Sequence, residues 1–76
     1  MSRITAIEKK DMERNTRQGE VPATYCIFEK DGVKYFQIDT YGSPNRECPW
    51  QPSQTIQFDK IFAKRLVSML IEEFWN

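Results

Sequence analysis

The dipeptide Asp31-Gly32 constrains the fold of this chain more than any other sequence feature, because it separates two runs rich in β-branched and aromatic residues. Residues 23–41 read ATYCIFEKDGVKYFQIDTY. A type I′ turn needs a positive φ at both central positions, and Asp-Gly supplies it, so the pattern predicts a β-hairpin. The two-residue turn fixes the register, in which the opposed pairs are Lys30 and Val33, Phe28 and Tyr35, Ile27 and Phe36, and Tyr25 and Ile38.

The two faces of this predicted hairpin differ in chemistry, because side chains alternate along each strand and directly opposed residues share a face. One face is apolar and should lie on the core; it holds Tyr25, Ile27, Phe36 and Ile38. The other face is aromatic and polar; it holds Cys26, Phe28, Tyr35, Gln37, Asp39 and, if the strand extends, Tyr41. That second face is unusually rich in aromatic residues for one that only meets water.

Three further segments complete the predicted fold. Residues 3–12 alternate weakly and favour a strand, with a short amphipathic helix as the alternative. Ile56 and Phe58 alternate with polar neighbours, which is typical of a half-buried strand. Asp59 then occupies the N-cap position before a segment of 3.6-residue period. We therefore expect one domain over residues 1–76, of the α+β class, with a four-stranded antiparallel sheet followed by one C-terminal helix.

The C-terminal segment carries more apolar side chains than one buried stripe requires. The stripe expected to pack on the sheet consists of Ala63, Leu66, Val67, Leu70, Ile71 and Phe74. Four more apolar side chains lie at its margins or outside it: Ile61, Phe62, Met69 and Trp75. A helix that is apolar beyond one stripe usually has a second partner, and a chain of 76 residues buries little surface alone. We expect a homodimer with these four residues at its interface.

Several function classes lack the residues they need. The chain has no histidine and no phosphate-binding glycine loop, and carboxylate pairs such as Glu72 and Glu73 point in different directions on a helix, so they do not form an acid/base dyad. We therefore expect no enzymatic activity, no cofactor and no metal site. Cys26 is expected to be a buried free thiol, with a disulfide to Cys48 as the alternative. No secretory signal or membrane-spanning run is present, so we expect a cytoplasmic protein without a membrane partner.

The aromatic and polar face suggests binding of single-stranded DNA or RNA. Exposed aromatics on a sheet can stack on bases while basic side chains around it, Lys30 among them, hold phosphates. The candidate nucleic-acid-binding residues are Lys9, Lys10, Arg14, Arg17, Phe28, Lys34, Tyr35, Gln37, Tyr41, Arg46 and Trp50. The net charge of zero counts against this function, although residues 1–19 carry a net charge of +2. The alternative is that these aromatics cover a second apolar layer or a dimer contact.

A long connection, YGSPNRECPWQPSQ over residues 41–54, holds three of the four prolines. The prolines restrict its backbone, so Arg46 and Trp50 would be presented at a low entropic cost. Trp50 either covers the core or extends the binding surface beside Tyr35 and Tyr41. We expect it to be partly exposed, because the helix and strands already supply the core.

Residues 34–74 resemble the positive cofactor four family of single-stranded-DNA-binding transcription coactivators and its small bacterial relatives. The resemblance rests on FQIDTY at residues 36–41, the polar connection, the strand TIQF at residues 55–58, Asp59 and the amphipathic segment after it. It implies four antiparallel strands and a helix, dimeric through the helices, with Tyr41 matching a base-stacking aromatic and Arg46 a basic loop position. Asp39 departs from the family, which commonly has a basic residue there, and CPWQPSQ replaces a glycine- and lysine-rich approach to the last strand.

Two hypotheses of function follow. The first is a non-enzymatic single-strand-binding module in transcription, replication or repair, with a salt-steep affinity for oligo-dT. The second is a protein-interaction module, a small or phage-type regulator that binds a host protein through Arg46 and Trp50, since Trp and Arg are enriched in interface hot spots.

Overall fold

The computed structural model describes residues 1–42 and 51–75, which form a four-stranded sheet followed by one helix. The elements are β1 (Ser2–Arg3), β2 (Ala23–Lys30), β3 (Val33–Thr40), β4 (Gln54–Asp59) and α1 (Lys60–Phe74). The strand order is β1-β4-β3-β2. The predicted α+β class with one C-terminal helix is confirmed. The sheet is mixed rather than wholly antiparallel, because β1 runs parallel to β4.

The hairpin has the predicted turn and register. Asp31 has a φ of 53° and Gly32 a φ of 77°, as a type I′ turn requires. All four predicted opposed pairs occur between β2 and β3. A Cβ added to Gly32 would meet no atom within 4 Å, so the turn needs glycine for its backbone conformation and not for space.

The N-terminal strand is much shorter than the predicted strand over residues 3–12. Its pairing with β4 ends once the Ile4 N–H donates to the Gln57 carbonyl at 2.8 Å. The chain then leaves the sheet for the helix, where the Arg65 Nη2 donates to the Ile7 carbonyl at 3.3 Å. Residues 4–22 have no helix or strand. The polar run after Ile7 has no apolar face to bury, which explains why the weak alternation does not extend the sheet.

A row of aromatic rings crosses the sheet from the exposed Tyr25 and ends in the core, where β4 meets the helix. Ring centroids lie 5.2 Å apart for Tyr25 and Phe36, 5.3 Å for Phe36 and Phe58, and 5.2 Å for Phe58 and Phe62. Phe58 is 7 % exposed and Phe62 is 4 % exposed. Phe62, which we expected at a contact with a second copy, therefore belongs to the core of the protomer.

Most of the apolar stripe of α1 does not pack on the sheet, contrary to expectation. Ala63 and Leu66 are half-buried, but the four side chains that we call the helix stripe are exposed: Val67, Leu70, Ile71 and Phe74. The reason is the junction with β4. The strand ends at Asp59 and the helix begins at Lys60, so no loop allows the helix to fold back over the sheet.

The shape that results is open for a chain of this length. Its radius of gyration is 14.9 Å, against about 11 Å expected for a compact domain. Its accessible surface is 7229 Å², about 2,300 Å² more than a folded monomer of this mass usually has. In residues 1–42 and 51–75, no helical segment combines the length and the hydropathy that a membrane span requires.

Replacing the helix cap should destabilise the fold. The Asp59 carboxylate accepts a hydrogen bond from the Phe62 N–H at 3.1 Å, which is the predicted N-cap. We expect Asp59→Ala to lower the free energy of unfolding by about 1 kcal/mol, while Asp59→Asn keeps most of the stability. Urea unfolding at a fixed protomer concentration measures the difference, and an alanine variant as stable as the wild type would contradict the role of the cap.

Candidate nucleic-acid interface

One side of the sheet carries the predicted aromatic and polar side chains, and we call it the polar face. Strand alternation and register place most of its residues, and the hydrogen bond from Arg3 to Tyr35 places Arg3 there too. The polar face comprises Arg3 of β1, Thr24, Cys26, Phe28 and Lys30 of β2, Val33, Tyr35, Gln37 and Asp39 of β3, and Thr55 and Gln57 of β4.

One end of the polar face is a stack of two rings and a cation. The Phe28 and Tyr35 rings have centroids 5.4 Å apart, with 29° between their planes. The guanidinium carbon of Arg3 lies 5.9 Å from the Tyr35 centroid, and the Arg3 Nη1 donates to the Tyr35 hydroxyl at 3.4 Å. Both rings are half-buried, so part of each remains open to solvent. The arrangement offers a π surface with a positive charge beside it.

The centre of the polar face is a chain of hydrogen bonds that ends on a carboxylate. The Gln57 Nε2 donates to the Gln37 Oε1 at 2.8 Å. The Gln37 Nε2 donates to both carboxylate oxygens of Asp39, at 3.1 and 3.0 Å. The Thr55 hydroxyl donates to the Asp39 Oδ1 at 2.7 Å. Three donated hydrogen bonds hold Asp39 in place, and they put a negative charge in the middle of this face.

Tyr41 lies just beyond the end of β3, on the side of β2. The Tyr41 and Thr24 hydroxyls are hydrogen-bonded to each other, with 3.0 Å between their oxygens. The Tyr41 backbone N–H donates to the Pro22 carbonyl at 3.0 Å. Tyr41 is half-buried. These bonds fasten the end of the hairpin and hold the ring at the edge of the sheet.

The predicted cations are dispersed. Lys34, predicted only as one of the cations around the sheet, belongs to the face opposite Tyr35, where it lines a groove with Ile27 and Phe36. The reason is the strand period of two, which turns neighbouring residues to opposite faces. Lys9 lines a different groove, between the N-terminal segment and α1. The other three N-terminal candidates are exposed in the segment without helix or strand: Lys10, Arg14 and Arg17.

Two residues of the polar face behave differently from expectation. Arg3 was not among the candidates, although its guanidinium lies over the Tyr35 ring. Nothing in the sequence indicates that a two-residue strand pairs with β4, and only that pairing brings Arg3 to Tyr35. Cys26 was expected to be buried, but it is an exposed free thiol, because β2 is the outer strand of the sheet.

Two predicted binding residues, Arg46 and Trp50, lie outside the described residues, so what we expect of them stays a prediction. Within residues 1–42 and 51–75, no group of three or more cysteine, aspartate or glutamate side chains could hold a metal ion.

The opposite side of the sheet, which we call the apolar face, is only partly covered. Its apolar side chains are Tyr25 and Ile27 of β2, Phe36 and Ile38 of β3, and Ile56 and Phe58 of β4, with the opposed pair Glu29 and Lys34 at the end next to the turn. Tyr25 remains 69 % exposed and Ile27 57 % exposed. A groove of about 240 Å³ lies between this face and the first turns of α1, and Ile27, Phe36, Phe58 and Ala63 contribute to its walls.

The residues predicted for a dimer contact fall into different environments. Ile61 and Trp75 are exposed, and Met69 is half-buried. Met69 lines the groove of about 490 Å³ beside Ile7. The helix stripe, predicted to face the sheet, is the larger apolar surface that α1 exposes.

Comparison of the chain with family models, with curated proteins and with solved structures found no match. The resemblance to the coactivator family over residues 34–74 therefore stays a prediction.

Proposed function

We propose that this chain is a small non-enzymatic module that binds single-stranded DNA or RNA on its polar face and works as a homodimer. The observation that carries the proposal is the stack of Phe28 and Tyr35 with the Arg3 guanidinium beside it. Every base has a π face, so aromatic rings and guanidinium planes bind single strands with little regard to sequence. Transcription, replication and repair are the processes that use such modules.

Neighbouring side chains suit the edges of unpaired bases. Gln37 and Gln57 present amide groups beside the aromatic pair, and amides can both donate to and accept from base edges. A strand that crosses from the Phe28 end toward Tyr41 would pass over these amides. Its phosphates would meet Arg3 and Lys30 at the aromatic end, and the exposed cations of the N-terminal segment can add to them.

The electrostatics favour a modest affinity. Asp39 places a negative charge in the path of the strand, and the whole chain is neutral. Each phosphate neutralised adds about −0.7 to the slope of log affinity against log salt for a single strand. Because Lys34 lies on the apolar face, the slope of log affinity against log salt should be shallower than it would be if all seven candidate cations, Lys30 included, contacted phosphates.

Replacing the aromatic pair should weaken binding. We expect Tyr35→Ala and Phe28→Ala each to reduce the affinity for a labelled oligo-dT by about 1–3 kcal/mol, measured by fluorescence anisotropy at low salt. Tyr25→Ala is the matched control, because it removes a ring of the same hairpin from the apolar face. Equal losses for Tyr25→Ala and Tyr35→Ala would refute the assignment of the polar face, and wild-type protein that binds no oligonucleotide would refute the function itself.

Removing the central negative charge should strengthen binding. In Asp39→Asn the hydrogen bonds can persist if the Gln37 and Gln57 amides both turn over, because Asn still accepts from Thr55. We expect an affinity for oligo-dT about three to ten times higher at low salt, with the gain shrinking as salt is added. Thr55→Val keeps the charge and serves as the control. An unchanged affinity in Asp39→Asn would mean that the strand does not cross this face.

Self-association through α1 would cover much of the exposed apolar surface. Ala63, Val67, Leu70 and Phe74 are spaced by four, three and four residues, so they form a seam along one side of the helix. In an antiparallel pair of helices, Ala63 opposes Phe74 of the second copy and Val67 opposes Leu70. The small Ala63 side chain leaves the groove of about 240 Å³ beside it, which suits an incoming aromatic ring.

A charge in the seam should abolish this dimer. We expect Leu70→Asp to abolish association through α1, so that sedimentation equilibrium gives a smaller associated mass than for the wild type, because the carboxylate would be desolvated in an apolar contact. Ser68→Asp, on a polar side of the same helix, should leave the mass of the dimer unchanged. A wild-type protein that stays monomeric at high concentration would contradict the homodimer.

The helix stripe also favours a second candidate function, that of a protein-interaction module. Leu70 is 42 % exposed and Phe74 is 74 % exposed, and patches of this kind mark binding sites for other proteins as well as for copies. A purified chain that is monomeric and binds no oligonucleotide would favour this alternative.

A further inference from the structure

We propose that the outer strand β2 pairs with β2 of a second copy, in an antiparallel arrangement that joins two sheets into one. This contact does not depend on nucleic-acid binding, and it uses a different surface from the helix stripe. It rests on the hydrogen-bonding pattern of the hairpin, the exposed side chains of β2 and the self-complementary order of its residues.

The backbone of β2 has one bonded side and one open side. In a hairpin with a two-residue turn, Lys30 and Val33 form a hydrogen-bonded pair, and every second pair along the ladder is bonded in the same way. The bond from the Tyr41 N–H to the Pro22 carbonyl continues this series. The N–H and C=O groups of Ala23, Tyr25, Ile27 and Glu29 therefore point away from β3. Because β2 lies at the end of the sheet, no strand of the described fold meets them.

Nothing in β2 protects this open side. Exposed outer strands are usually short, or carry a proline, a bulge or a central charge that prevents pairing with another chain. β2 is eight residues long, contains no proline, and pairs with β3 without a bulge. The charged residues of β2 are Glu29 and Lys30, and both lie at the end of the strand next to the turn.

The order of side chains in β2 suits pairing with itself. A two-fold axis normal to the sheet at Cys26 sets Tyr25 opposite Ile27 of the second copy, and Thr24 opposite Phe28. Aromatic residues opposite β-branched ones are favourable cross-strand pairs, and no like charges face each other in this register. Tyr25 and Ile27 are also the most exposed members of the apolar face, so the pairing covers apolar surface that the protomer leaves open.

Amide hydrogen exchange tests the proposal without a variant. In the protomer the Tyr25 and Ile27 amides have no strand partner, whereas the Cys26 and Phe28 amides bond to β3 and act as internal controls. Raising the concentration of the full chain should slow exchange at Tyr25 and Ile27 by about tenfold or more. A dimer formed through α1 alone would leave these two amides fast, so fast exchange in the associated protein would overturn the proposal. Slowing that appears only after another protein is added would assign the edge to a foreign strand and overturn it as well.

Cross-linking gives an independent reading of the register. Cys26 faces its own copy in the proposed pairing, where the Cα atoms of a non-hydrogen-bonded pair lie about 4.5 Å apart. In a Cys48→Ser background, a short bis-maleimide should link two chains through Cys26. Ile27→Pro removes an outward N–H and should abolish the product, Ile27→Val should retain it, and Leu70→Asp should retain it because α1 is not involved. A product that persists in Ile27→Pro, or that Leu70→Asp abolishes, would refute pairing through β2.

Discussion

The absence of a loop between β4 and α1 determines which apolar side chains of this protein are buried and which are exposed. Asp59 ends the strand and caps the helix at once, so the direction of α1 follows from the direction in which the chain leaves the sheet. Phe62 reaches Phe58 from the first turn, and the later turns extend past the sheet. A loop of a few residues would have let the helix turn back and close a core. Without that loop, the protomer has a small core at Phe58 and Phe62 and leaves an apolar helix stripe in solvent.

The two faces of the sheet differ in the interactions that their side chains can make. The apolar face and α1 expose surface that gains free energy when covered, which is the physical basis for association. The polar face keeps its side chains occupied with one another: Arg3 with Tyr35, Gln37 with Asp39, and Thr24 with Tyr41. Such internal bonding holds the side chains in one arrangement and lowers the entropic cost of presenting them to a ligand.

Local patterns predicted the local structure well. Asp31-Gly32 gave the turn and the register of the hairpin, and Asp59 gave the start of the helix, because each depends on backbone preferences of neighbouring residues. Features that depend on distant pairing were not predictable. The parallel pairing of β1 with β4, and with it the position of Arg3, requires knowledge of where the chain returns after more than fifty residues. The prediction that the helix stripe packs on the sheet was wrong for a similar reason. A 3.6-residue period indicates that one helix face is apolar, but it does not indicate which surface covers that face.

The hydrogen-bond chain across the polar face has a direction. The Asp39 carboxylate can only accept hydrogen bonds, so the Gln37 amide directs its NH₂ toward Asp39 and its oxygen toward Gln57. The Gln57 NH₂ donates to that oxygen. One carboxylate at the β3 end thereby orients both amides and leaves the Gln57 oxygen at the side of β1. The face therefore has a defined polarity of donors and acceptors despite its neutral amides. At the β1 side, the Gln57 oxygen can accept from a base amino group, while the Arg3 guanidinium can donate to a base carbonyl.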